Sequence, residues 1–127
     1  QCWIYRQYGQ VHGAQNVTQA IANSCNVFFY DVGRRLGIDK IGEYARMFGL
    51  GKPTGVELPE NIGVVAGPEF TQSIGSVWHE GSTLPAAIGQ ENNQFTPLQL
   101  ANYIATLVNG GNHYAAHLLK SINFKSY

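Results

Sequence analysis

Ser24-Cys25-Asn26 is the stretch of this chain whose side chains are best suited to chemistry. A hydroxyl and a carboxamide, each able to donate and accept hydrogen bonds, stand two residues apart with a thiol between them. Serine and asparagine at a helix start are also favoured simply as caps that accept backbone N–H bonds. Residue types alone therefore do not separate a site from a helix end, and the two readings differ in what holds the tripeptide.

Upstream, Gln15 to Asn23 reads as a helix, with Asn16 as N-cap and Gln19 three residues later as its capping-box partner. A second helical pattern runs from about Val27 to Leu36. Phe28, Val32 and Leu36 fall four apart, Phe29 lies alongside, and Gly37 stands where a left-handed C-cap belongs. Ser24 and Asn26 then sit at a helix–helix junction, with Phe28 and Phe29 on the inner face holding it rigid. A scaffold presents a hydroxyl and an amide at fixed separation in this way.

Gln10-Val11-His12-Gly13 followed by Ala20-Ile21-Ala22-Asn23-Ser24-Cys25-Asn26-Val27-Phe28-Phe29-Tyr30 resembles the second active-site motif, S-x-N, of the penicillin-binding proteins, the peptidoglycan D,D-transpeptidases. Further blocks agree in order and spacing: Phe48-Gly49-Leu50-Gly51, Thr54-Gly55-Val56-Glu57-Leu58-Pro59, Ile88-Gly89-Gln90, Thr96-Pro97-Leu98-Gln99-Leu100-Ala101 and Asn109-Gly110-Gly111. That family works with S-x-x-K carrying the nucleophile, S-x-N, and K-T-G on a strand edge. The chain departs from it in two places. None of Ser24, Ser73, Ser76, Ser82, Ser121 or Ser126 has a lysine three residues on, and Lys52-Pro53-Thr54-Gly55 carries an inserted proline and stands in the wrong order for the third motif.

The resemblance implies a mainly α chain, the helical subdomain of the α+β penicillin-recognising serine transpeptidase fold, with little strand near the termini. Residues 1–127 would be a partial transpeptidase domain, a middle piece inactive by itself. Ser24 and Asn26 are the catalytic residues it implies, Ser24 relaying a proton and Asn26 orienting the nucleophile's lysine and a substrate backbone group, with Cys25 only packing. The implied partners are D-Ala-D-Ala stem peptides, β-lactams and other cell-wall synthesis proteins, and no cofactor is called for. The implied location is the outer face of the bacterial cytoplasmic membrane, on a membrane-anchored parent. Two other readings stay open: a β-lactam sensor or class D-like hydrolase, and a non-catalytic binding or scaffold module that keeps the helices without the nucleophile.

Composition sets the outer bounds. At 127 residues the chain is long enough for one domain with a real core, and 44% hydrophobic content argues against disorder. Eight basic and eight acidic residues cancel without forming runs, which leaves no electrostatic footprint for nucleic acid or an anionic membrane. A charged fraction of only 13% suggests a surface partly buried against further structure. Cys2 and Cys25 are too few for a disulfide framework, and their spacing leaves open whether they bridge. Among His12, His79, His113 and His117 no pair has a third ligand at a suggestive spacing, so no metal site is expected.

The remaining elements follow from pattern. Residues 1–13 alternate without helical period and read as a strand or extended arm, whose Trp3, Tyr5 and Tyr8 are former core contacts or a stacking platform. A third helix takes Asp39 as N-cap, buries Ile41, Tyr44, Ala45 and Phe48, and stops at Gly49-Leu50. From Gly51 to Gln94 the periodicity fails, with a single turn expected at Pro68-Glu69-Phe70. Thr96-Pro97-Leu98-Gln99 opens a last helix whose Leu100, Ile104, Leu107 and Val108 predict central burial. His117 to Ile122 reads as a strand with an unpaired edge, through which the chain would dimerise.

Overall fold

The structure, a computed structural model, describes residues 2–122 and the backbone of residues 125–126. In chain order its elements are α1 (Trp3–Tyr8), α2 (Val17–Ala22), α3 (Asn26–Leu36), α4 (Ile38–Met47), α5 (Pro68–Ser73), a 3-10 turn (Glu80–Ser82), α6 (Thr83–Ala86), α7 (Pro97–Val108), β1 (Ser121–Ile122) and β2 (Lys125–Ser126). They divide into two compact units, Gln1–Ile41 with Ala66–Asn92 and Gly42–Val65 with Asn93–Tyr127.

In the first unit α1 overturns the expectation of an extended arm. Six residues cannot hold a helix by propensity alone. This one is held at both ends: Cys2 is buried with Ala20 and Cys25, and Gly9 closes the helix with its N–H on the Tyr5 carbonyl. Ile4, Phe28 and Phe29 pack around the small buried cluster, and the two phenylalanine rings meet edge to face with centroids 5.3 Å apart. The Asn16 capping box forms as expected, Asn16 Oδ1 accepting from Gln19 N at 2.9 Å and Gln19 Oε1 from Asn16 N at 3.0 Å. α3 packs on α6, and Gly33 makes the approach so close that a β-carbon there would overlap that of Ala87. The irregular stretch after Gly51 contains α5 with Pro68 in its first turn, then the 3-10 turn and α6.

Asp39 is not the cap of α4. The helix already includes Ile38, so Asp39 lies in its first turn, where its charge suits the helix N-terminus.

In the second unit the remainder of α4 ends at Gly49, and Phe48 meets Tyr103 edge to face at 5.6 Å. α7 corrects a second expectation. Its apolar residues stay in the open, Ile104 at 50%, Leu107 at 52% and Val108 at 76% exposure, while Gln99 and Thr106 are buried. Irregular backbone packed against this helix needs donors for its carbonyls, and polar side chains supply them. Gln99 Nε2 donates to the carbonyls of Lys52 and Ile62, both at 2.8 Å, and Gln99 Oε1 accepts from Thr96 N at 2.9 Å. Asn102 Nδ2 donates to the Tyr114 carbonyl, and Thr106 Oγ1 lies 3.1 Å from His113 Nδ1.

Glu60 ties its own loop: Thr54 Oγ1 donates to Oε2 at 2.6 Å, and the N–H groups of Thr54 and Gly55 donate to the same carboxylate. The strand expected from His117 shrinks to Ser121–Ile122, paired antiparallel with Lys125–Ser126. Residues before it are held by other bonds, Ala116 N to the Thr54 carbonyl and Leu118 N to Glu57 Oε2. Gln1 of the expected arm and Asn123, Phe124 and Tyr127 of the tail lie outside the described residues. Among the described residues no helix is long and apolar enough to cross a membrane.

Candidate functional site

The junction that carries Ser24 is a helix C-terminus before it is a helix start. After α2, Ser24 N donates to the Ile21 carbonyl at 3.1 Å and Cys25 N to the Ala20 carbonyl at 2.9 Å. This crossed pair is the Schellman stop, which places its central residue in the left-handed region. The same pair closes α4 at Gly49, α5 at Gly75 and α6 at Gly89, each with positive φ. At the end of α2 the left-handed position is held by a serine, with φ +48°. A β-carbon costs about 1–2 kcal/mol in that conformation, which glycine avoids. The hydroxyl gives nothing back locally, since among the described residues Ser24 makes no side-chain hydrogen bond. It is exposed, and it does not cap α3, whose N-cap is Cys25 without a side-chain bond. The capping alternative is thereby removed for Ser24. Ser24 thus holds a strained backbone position and caps no helix.

Asn26 opens α3 half-buried, and its amide too is unengaged among the described residues. Between the two, Cys25 is buried in the small cluster. The tripeptide therefore alternates: the middle side chain goes into the core, and the flanking hydroxyl and amide stay available. The structure brings the two sequence-predicted site residues together at one helix–helix junction.

A cluster that sequence spacing did not show surrounds the buried thiol. Cys2, His12 and Cys25 each offer one ligand atom, and these atoms lie within 4.8 Å of one another. Cys2 Sγ is 3.3 Å from His12 Nδ1, and both cysteines are free thiols. Two sulfurs and an imidazole nitrogen are the donor types that suit tetrahedral Zn²⁺, with one position left over. The expectation of no metal-ligating set rested on separation along the chain, and folding brings these three residues together from before α1, the loop after it and the α2–α3 junction. His79, His113 and His117 take no part. The same residues, with Tyr5, Val11 and Val27, line a mainly apolar cavity of about 360 Å³.

Trp3 completes the surroundings. Its Nε1 donates to the Asn23 carbonyl at 3.1 Å, and its ring lies edge-on to His12 with centroids 5.9 Å apart. Read as a strand residue, Trp3 gave no sign of this role. The sequence signal for it was Gly9, a helix stop six residues downstream.

The family model described as "Penicillin binding protein transpeptidase domain" matches residues 1–126. The peptidoglycan D,D-transpeptidase MrdA of Acinetobacter baumannii is 39% identical over 112 residues, covering 87% of this chain and 17% of that protein. MrdA of Escherichia coli strain K12 is 37% identical over 112 residues, covering 87% and 18%. Among solved structures, the complex of PBP2 with MreC from Helicobacter pylori superposes with a TM-score of 0.79 at 35% identity, over 91% of this chain and 22% of that one. The chain thus spans less than a fifth of the length of these curated relatives.

Proposed function

This chain belongs to the penicillin-binding protein transpeptidase domain family, and on that premise we propose that the protein is a peptidoglycan D,D-transpeptidase in which Ser24 and Asn26 form part of the active site. The reaction this reading assigns is acyl transfer. A serine outside these 127 residues attacks the D-Ala-D-Ala end of a stem peptide and expels the terminal D-alanine, and an amine on a neighbouring strand then takes the acyl group. β-Lactams enter as mimics of the donor and remain as stable acyl-enzymes. These residues alone, lacking S-x-x-K and K-T-G, carry no activity.

The observation that carries the reading is Ser24 in a left-handed Schellman position that α4, α5 and α6 give to glycine, with its hydroxyl free. A hydroxyl donates and accepts at once, so Ser24 passes a proton toward the leaving nitrogen while its backbone stays fixed. The Asn26 amide, one helical position beyond the buried Cys25, orients the nucleophile's lysine and the substrate backbone. The solved H. pylori relative is in complex with MreC, and we place this protein in a cell-wall synthesis assembly of that kind, on the outer face of the cytoplasmic membrane.

The test is acylation of the full-length protein by a fluorescent penicillin. Ser24→Ala lowers the acylation rate by roughly 10² to 10⁴, the factor typical of losing a positioned proton-transfer group. Unchanged acylation would remove the assigned role. A protein that takes up no penicillin with Ser24 intact would instead be the non-catalytic module, and rapid deacylation would mark a hydrolase.

A further inference from the structure

We propose that Trp3 is a positioning residue for Ser24, acting through the peptide plane between Asn23 and Ser24; this rests on the reading of Ser24 as the proton relay. The direction of the Ser24 side chain is set by rotation about its N–Cα bond, and so by the orientation of the plane that precedes it. One edge of that plane is held by α2 itself, Ser24 N donating to the Ile21 carbonyl at 3.1 Å. The other edge is the Asn23 carbonyl, which points out of the helix end and is ordinarily left to water. Here it accepts from the Trp3 indole at 3.1 Å, a donor from a different element. The following plane is held by Cys25 N on the Ala20 carbonyl at 2.9 Å.

A serine at φ +48° occupies a small basin with a competing one at negative φ, and passing between them turns the Asn23–Ser24 plane over. That turn swings the Asn23 carbonyl away from Trp3 and breaks the indole bond, so Trp3 biases the equilibrium toward the conformation in which the hydroxyl is presented. Trp3 is itself well placed to hold a position. It is the first residue of α1, directly after Cys2, which is buried against Ala20 and Cys25. Its ring lies edge-on to His12, which in turn contacts Cys2 Sγ. The indole N–H is a donor only and has no alternative role as an acceptor.

The experiment uses the full-length protein, measuring penicillin acylation at saturating concentration together with the dissociation constant of the encounter complex. Two replacements remove the N–H: Trp3→Phe, and the isostere β-(3-benzothienyl)alanine at position 3, which keeps the ring volume and its contact with His12. Both are made with Ser24 present and in the Ser24→Ala background. The expected result is a loss of about three- to tenfold in the acylation step, the scale of one neutral hydrogen bond, with the dissociation constant unchanged and no further loss once Ser24 is alanine.

If Ser24→Ala slows acylation and both Trp3 replacements leave it at the wild-type rate, the Trp3 proposal fails while the reading of Ser24 stands. Should Ser24→Ala itself have no effect, the underlying reading fails. An equal loss from the Trp3 replacements in both backgrounds, or a loss from phenylalanine alone, would mean that ring packing and not the hydrogen bond is responsible, and would overturn the proposal.

Discussion

Replacing Ser24 with glycine should stabilise the fold while removing the hydroxyl. The left-handed conformation at φ +48° costs a residue with a β-carbon about 1–2 kcal/mol, and the Ser24 side chain recovers none of it through hydrogen bonds among the described residues. Glycine relieves that strain but loses more entropy on folding, about 0.4–1 kcal/mol. The expected net gain for Ser24→Gly is therefore about 0.5–1 kcal/mol. Ser24→Ala keeps the β-carbon and the strain, so its stability should stay within about 0.5 kcal/mol of the natural chain. With a urea m-value of about 2 kcal/mol per molar, the glycine variant unfolds at a midpoint higher by about 0.3–0.5 M. The assay is urea unfolding followed by far-ultraviolet circular dichroism, with m compared across the three proteins. Alanine provides the decisive control, since both substitutions delete the hydroxyl and only one removes the β-carbon. A glycine variant no more stable than the alanine variant would refute the argument that Ser24 holds a strained position in place of glycine.

Two further outcomes follow from the second unit. Thr54 Oγ1, then the Thr54 and Gly55 N–H groups, hold the Glu60 carboxyl below its ordinary range, so its contribution to stability is full above that range and is lost as the pH falls through the lowered value. Amide protection at Thr54 and Gly55, taken relative to the intrinsic exchange rate at each pH, should fall on acidification in the natural chain and be low already at neutral pH in Glu60→Gln; protection unchanged across that pH range in the natural chain would contradict this. Gln99→Ala should destabilise by about 2–4 kcal/mol in urea unfolding, because it strands the Lys52 and Ile62 carbonyls and the Thr96 N–H at a site only 1% exposed. A loss under about 1 kcal/mol would show that water takes over those groups.

What was legible in the sequence was local. Both capping boxes, Asn16 with Gln19 and Thr96 with Gln99, form as read, because their partners lie three residues apart and need nothing from the rest of the fold. The glycine stop at Gly49 follows for the same reason. The helix–helix junction at Ser24 and Asn26 was legible, but its cause was not: a Schellman stop announces itself through glycine, and a serine in that place reads as a cap. α1 was missed because its aromatic alternation imitates a strand, while its anchor, the burial of Cys2 against Ala20 and Cys25, is a contact across the fold. The donor set of Cys2, His12 and Cys25 was hidden likewise. α7 misled in the opposite sense. Its apolar residues promised burial, but the helix faces irregular backbone, and the need to satisfy the Lys52 and Ile62 carbonyls placed Gln99 in the interior, while the buried Thr106 hydroxyl donates to the Asn102 carbonyl of its own helix.

The middle letter of a motif such as S-x-N is written as though any residue would serve. Cys25 shows why, in this chain, it would not. With 7% of its surface exposed, Cys2 and Ala20 as neighbours and its sulfur beside the Cys2 sulfur and the His12 donor atom, the position is answerable to its buried surroundings, and what it admits depends on residues that stand far away in the chain. Descent should leave a record of that dependence. Across lineages, the middle position should change together with the places of Cys2, Ala20 and His12, while the flanking serine and asparagine hold constant. The tripeptide is two units, an outward pair whose polar groups stay available and an inward residue answerable to its buried neighbours.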